Sequence, residues 1–231
     1  MSNNKPWFVA VWETAPEMEI DWEIIQGFVD MLAPQIGFVP GARILDVACG
    51  RAVALIELAG RGAEAVGIDR SEAMLAAGRN FAAARNVEIE WLCADMRELG
   101  YDNEFDIVMI RDVIFGIFDH DTNMAVLQSL VRALKSGGRL HLQVYNKDHA
   151  LNHKVENMTY NADIGRFENR DYDTTGTEAG EYQFPSIELM TIPEWRGVLA
   201  QLSLAEINLY THKWEPAAND SRFLNITAKK V

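Results

Sequence analysis

The chain has 231 residues, enough for one sizeable α/β domain with a small insertion. It is 48% hydrophobic and 24% charged, the balance of a soluble globular protein, and no apolar run reaches membrane-spanning length. Its net charge is −13 and its 21 Lys and Arg are scattered. That argues against a nucleic-acid substrate, which calls for a basic stripe, and makes a small molecule the expected partner.

The N-terminus, MSNNKPWFVAVWE, lacks a basic start followed by an apolar core. Two cysteines, Cys49 and Cys93, cannot build a disulfide framework or a metal cluster. A cytoplasmic location is expected. After an aromatic lead (Trp7, Phe8, Trp12), a helix is predicted from Asp21 to Leu32. Ile20, Ile24, Phe28 and Met31 share its apolar face, and Pro34 ends it.

A strand, Arg43 to Val47, then ends on an acid, Asp46, and on the small residues Ala48 and Gly50. A helix follows from Ala52 to Ala59, and a second strand, Ala65 to Ile68, ends in Asp69. Strand, tight turn, helix and strand with a terminal acid form the nucleoside-holding unit of open parallel sheets. The backbone approaches the ligand at the turn, and the acid takes the ribose hydroxyls. The turn selects among nucleosides. A pyrophosphate wants several glycines on a helix N-terminus, but here the turn reads Asp46-Val47-Ala48-Cys49-Gly50-Arg51-Ala52, with an acid inside it. An acid repels a pyrophosphate and attracts an ammonium. S-adenosylmethionine carries an ammonium and no phosphate, so it is favoured over a nicotinamide dinucleotide.

This stretch resembles motif I of the class I S-adenosylmethionine-dependent methyltransferases, with Ala48 and Ala52 where that family has Gly and Arg51 where a small hydroxyl residue is common. The resemblance implies a Rossmann-like seven-stranded, mostly parallel sheet with an antiparallel C-terminal hairpin and helices on both faces. It also implies one domain. Residues 1–37 would be its lid and first helix, 38–146 the cofactor core, 147–186 an insertion and 187–231 the last helix and strands. Ser71 caps a helix from Glu72 to Ala84, whose Met74 faces back to the turn. A third strand, Val87 to Leu92, runs into Cys93-Ala94-Asp95-Met96. In the family an acid here bonds the adenine amino group and its neighbours line the ring; capping of the next turn is the other reading of Asp95.

The fourth strand, Phe105 to Arg111, ends in Arg111 and Asp112, charges that need pairing or a ligand. Phe115-Gly116-Ile117-Phe118 is similar to the loop of one subgroup, but Ile114 and Ile117 replace its Ser and Tyr. A helix from Asp121 to Leu134, a Lys135-Ser136-Gly137-Gly138 turn and a strand from Leu140 to Tyr145 match a further marker of the family. The expected cofactor residues are thus Asp46, Ala48, Cys49, Gly50, Asp69, Arg70, Met74, Ala94, Asp95, Met96 and Arg111. His120, after the fourth strand, is the candidate general base.

His149 and His153, four apart with Glu156 near, would pair on a helix, but a polar loop has the same letters, and no metal is expected. Residues 147–186 hold a hairpin about Asp163-Ile164-Gly165 and several aromatics: Tyr160, Phe167, Tyr172, Tyr182 and Phe184. With Trp7 and Trp12 they would cover an acceptor pocket, or else form a homodimer surface. A helix from Ile192 to Leu202 and strands Ala205 to Tyr210 and Phe223 to Lys229 close the chain. The expected activity is methyl transfer to an O, N or C atom of a small molecule by in-line displacement; a binding protein on the same fold is the alternative.

Overall fold

In a computed structural model that describes residues 19–153, 155, 158–169 and 185–231, helix α1 (Trp22–Gln35) opens on Asp21. The Oδ1 of Asp21 accepts the N–H groups of Glu23 and Ile24, a side-chain cap. Two expectations for this helix are corrected. Pro34 lies inside its last turn, where the one missing N–H does not stop the chain from completing the turn. The buried stripe is Val29 and Leu32, with Ile25 and Phe28 beside it, whereas Ile24 and Met31 are 68% and 44% exposed. Apolar residues occupy two adjoining stripes of α1, and periodicity alone cannot choose between them; packing on the sheet does. Trp7, Phe8, Trp12, Glu156, Tyr172, Tyr182 and Phe184 lie outside the described residues.

The next elements are β1 (Arg43–Val47), α2 (Val53–Gly60), β2 (Glu64–Asp69), α3 (Glu72–Ala84), β3 (Glu90–Cys93) and β4 (Phe105–Ile110). The third strand starts later than Val87 because the Val87 N–H is committed to the Ala82 carbonyl at the end of α3. Then come α4 (His120–Ala133) and β5 (Leu134–Tyr145). The Gly137-Gly138 reversal is a bulge within β5: Phe105 pairs with Leu134 and Ile107 with Arg139. A Cβ on Gly138 would lie 2.9 Å from the Lys135 carbonyl and 3.1 Å from those of Asp106 and Phe105, so only Gly fits there. Short helix α5 (Lys147–Asn152) and strands β6 (Thr159–Asn161), β7 (Arg166–Glu168) and β8 (Ser186–Ile187) precede α6 (Ile192–Ala200), β9 (Leu204–Tyr210) and β10 (Phe223–Lys230).

The main sheet runs β3-β2-β1-β4-β5-β10-β9, parallel through β5 and antiparallel at β10 and β9. This is the expected seven-stranded Rossmann-like sheet. One face packs on α4 and α6 through Val108, Ile110, Leu127, Leu130 and Trp195; the other packs on α1, α2 and α3 through Ile44, Ile107, Leu32, Leu55 and Leu75. Strand order reverses between β1 and β4, and at such a switch point the flanking loops part and leave a crevice at the carboxyl ends. Strands β6, β7 and β8 form a separate antiparallel sheet that includes the expected hairpin.

Candidate functional site

At the carboxyl ends of β1, β2 and β4 lies a cavity of about 330 Å³, within the range of small-molecule sites. Asp46, Ala48, Cys49, Gly50, Asp69 and Arg70 line it, and so do Met74, Ala94, Asp95, Met96 and Arg111. All eleven residues expected at a cofactor therefore face one space.

The β1 turn keeps a glycine-type backbone despite its alanines. Ala48, Gly50 and Ala52 have φ of 54°, 55° and 54°, and Ala52 is the left-handed cap of α2. A left-handed Ala costs roughly 1–2 kcal/mol. The turn is tied down by the Cys49 N–H to the Ile68 carbonyl (3.0 Å) and the Ala52 N–H to the Cys49 carbonyl (2.7 Å). At Gly50 the positive φ favours glycine, and a Cβ there would sit 3.2 Å from the flexible tip of Met74.

Four carboxyls line the cavity, and the three of the expected set are in different states. Asp46 is only 3% exposed, and its Oδ1 has no hydrogen-bond partner among the described residues. Burial pushes its pKa up to about 8 against the pull of Arg111. An unpaired buried acceptor is costly, and a cation arriving in the cavity would satisfy it. Asp69 ties the two turns together: Oδ2 accepts the Gly50 N–H and Oδ1 the Ser71 N–H, both at 2.8 Å. Burial raises its pKa against those N–H groups, and each oxygen keeps a lone pair for a hydroxyl.

Asp95 does two things. Its Oδ1 caps a 3₁₀ turn (Met96–Glu98) by accepting the Arg97 N–H, and Oδ2 accepts Arg70 Nη1 at 2.6 Å and Arg97 Nη2 at 2.7 Å. Burial alone would raise its pKa, but the Arg97 and Arg70 hydrogen bonds outweigh that and hold it below the usual range. Arg111 directly follows β4, its buried Nε without a hydrogen-bond partner among the described residues, its guanidinium 4.4 Å from the Phe28 ring centre and Nη2 3.6 Å from Asp112.

His120 does not join them. It is the first residue of α4, outside the cavity lining, with its side chain 61% exposed. Its Nδ1 lies 2.7 Å from Glu188 Oε1, a hydrogen bond that raises its pKa. The structure therefore does not bring the candidate base His120 together with the expected cofactor residues; its ring faces Glu188, just after β8. His149 and His153 stack at 4.2 Å, and their Nδ1 atoms lie 2.7 Å and 3.2 Å from the carbonyls of Asp220 and His149.

The expected set missed a wall of Asp112, Ile114, Ile117 and Phe118, together with Arg51, Ala52, Val53 and Ser71. The signal available for them is adjacency: each follows a strand-end residue at the switch point. Phe118 lies over Arg97, 4.6 Å from ring centre to guanidinium, and so touches the group that holds Asp95. Among the described residues of 147–186, none lines the cavity.

Residues 44–138 match the family model described as "Methyltransferase domain". A demethylmenaquinone methyltransferase of Bacillus cereus is 38% identical over 106 residues, 44% of this chain and 44% of that protein. A ubiquinone biosynthesis O-methyltransferase of Acinetobacter baumannii is 32% identical over 115 residues, 48% of this chain and 47% of that protein. The match thus spans about half the length of these curated relatives. A solved structure of the PH0226 protein from Pyrococcus horikoshii superposes with a TM-score of 0.72 at 18% identity, covering 98% of this chain and 99% of that one, which shows the fold. The acid-bearing turn, the strand order and the matched core together identify residues 44–138 as a methyltransferase domain of the class I S-adenosylmethionine-dependent type.

Proposed function

We propose that the protein transfers a methyl group from S-adenosylmethionine to an apolar, ring-bearing small molecule. The observation that carries this is Asp46, a buried carboxyl whose Oδ1 has no partner among the described residues, inside a turn too acidic for phosphate. Asp46 would meet the cofactor's ammonium and Arg111 its carboxylate. Asp69 would take the ribose hydroxyls, and the Asp95–Met96 pair the adenine. The cofactor supplies an electrophilic methyl on a sulfonium. The protein's share is positioning and exclusion of water, for which the cavity's described lining suffices.

Ile114, Ile117 and Phe118 offer the acceptor an apolar wall. The named relatives act on quinone precursors, which are ring-bearing and apolar, and this supports the same class here. A cytoplasmic location agrees with the free thiols Cys49 and Cys93. Mass spectrometry of gently purified protein should find co-purified S-adenosylmethionine or S-adenosylhomocysteine. Incubation with S-adenosylmethionine and a reduced naphthoquinone should yield the methylated ring product. Tight binding of a nicotinamide dinucleotide with no response to either adenosyl compound would sink the reading.

A further inference from the structure

The loop between β4 and α4 supplies the apolar wall, and its backbone is strained. Asp112 and Val113 sit at φ of 58° and 55°, a conformation that a β-branched residue holds only when its surroundings impose it. The Asp112 N–H donates to Gln143 Oε1 (3.1 Å), and the later part of the loop is held from the insertion. Arg166 of β7 is buried, and its Nη1 donates to the Phe118 carbonyl (2.8 Å) while Nη2 donates to that of Gly116 (2.7 Å). The other side of the same guanidinium is anchored on β8, with Nε to Ser186 Oγ (2.8 Å) and Nη2 to the Ser186 carbonyl (3.1 Å). A planar fork of fixed donors can hold two strands of backbone at one spacing in this way; an ammonium cannot.

The contact continues along the backbone. The Glu188 N–H donates to the Gly116 carbonyl (2.8 Å), and Gly116, at φ of 106°, leaves no room for a Cβ against the Glu188 carbonyl. From α4, Asn123 accepts the Phe118 N–H on Oδ1 and donates Nδ2 to the Phe118 carbonyl (2.8 Å) and to Glu188 Oε2 (2.9 Å). Phe118 is therefore held from both sides, and its ring rests on Arg97, which grips Asp95.

We propose that Arg166 is a positioning residue: it locks the Gly116–Phe118 wall against β8 and, through Phe118 and Arg97, sets the adenine end of the cavity. The link to the cofactor rests on the reading of the cavity given above. The test is hydrogen exchange by mass spectrometry on the full chain, with calorimetric titration of S-adenosylhomocysteine. In Arg166→Lys the amides of residues 112–119 should exchange about tenfold faster or more, while those of β1, β2 and α2 keep the wild-type rate. The affinity for S-adenosylhomocysteine should fall about three- to tenfold, the size of one weakened contact acting through a neighbour. Gly116→Ala, which pushes on Glu188 from the loop side, should give the same local pattern. A folded variant whose loop exchange is unchanged would overturn the proposal. So would loosening of the whole sheet in parallel with the loop, which would make Arg166 an ordinary part of the core. A loosened loop with unaltered affinity would overturn the link to the adenine end. Failure of the wild-type protein to bind S-adenosylhomocysteine would reject the cofactor reading instead, and the exchange data would still decide the role of Arg166.

Discussion

The turns after β1 and β2 hold one another through Asp69, which accepts N–H groups from Ser71, two residues on, and from Gly50, 19 residues back. The loop after β4 is held by Arg166, 48 residues from Phe118, and by Glu188, 65 residues from Asn123 and 68 from His120. Both walls bound the same cavity. The first is a local construction, so its letters stand in one contiguous stretch and can be recognised. The second is a meeting of distant segments, and no window of sequence contains both partners. A wall of the first kind resists change because its parts form one unit with the sheet; a wall of the second kind can be altered from the insertion alone.

The largest effect should come from the local wall. Asp46→Asn removes the charge that would meet the ammonium. S-adenosylhomocysteine binding measured by calorimetry should weaken by about 2–5 kcal/mol, the cost of deleting one partner of a buried charged pair. The same variant should melt at a higher temperature without ligand, because it no longer buries an acid whose ionisation is disfavoured. Tighter binding, or a lower melting temperature, would break the assignment.

Asp69→Ala should come next. Affinity should fall by roughly 1.5–3 kcal/mol as ribose hydrogen bonds to a charged group are lost. The ligand-free protein should also lose stability, because the Gly50 and Ser71 N–H groups lose their acceptor. Thermal melts with and without S-adenosylhomocysteine separate the two losses; a variant as stable as wild type would show that the turns do not lean on Asp69.

A third expectation concerns pH. In the fold Asp46 titrates at about 8 against an ordinary 3.8, so the native state keeps a proton that the unfolded chain gives up, and stability falls as pH rises across that window. Buried His141 titrates at about 3 against 6.5, so stability falls as pH drops below 6.5. The two oppose each other in mild acid. From pH 6.5 to 8 Asp46 acts without that opposition, and ligand-free stability should fall by about 2 kcal/mol at 1.36 kcal/mol per pH unit. Saturating S-adenosylhomocysteine should flatten the slope, since its ammonium favours the ionised acid. Urea melts across this range check the sign, and rising stability would contradict it.

The smallest effect should come from His120. Exposed and outside the cavity, it should change stability by no more than about 0.5 kcal/mol when replaced by Ala. Turnover with a reduced naphthoquinone should stay within a few-fold of wild type. A loss of about 100-fold, the lower bound for general-base catalysis, would return His120 to the chemistry.

Strand ends carrying acids, small residues at the turn and the Gly pair within β5 are conditions on backbone geometry. They are written where the geometry occurs, which is why the sheet and eleven of the residues that line the cavity could be read from the chain. Tertiary structure alone decided the rest. It chose the Val29–Leu32 stripe of α1 over the Ile24–Met31 stripe, because only contact with the sheet distinguishes two equally periodic faces. It gave Asp95 two arginine partners, turned His120 toward Glu188 and brought Arg166 behind Phe118. Each of these depends on where a distant segment comes to rest, and a side chain's letter carries no record of its partner.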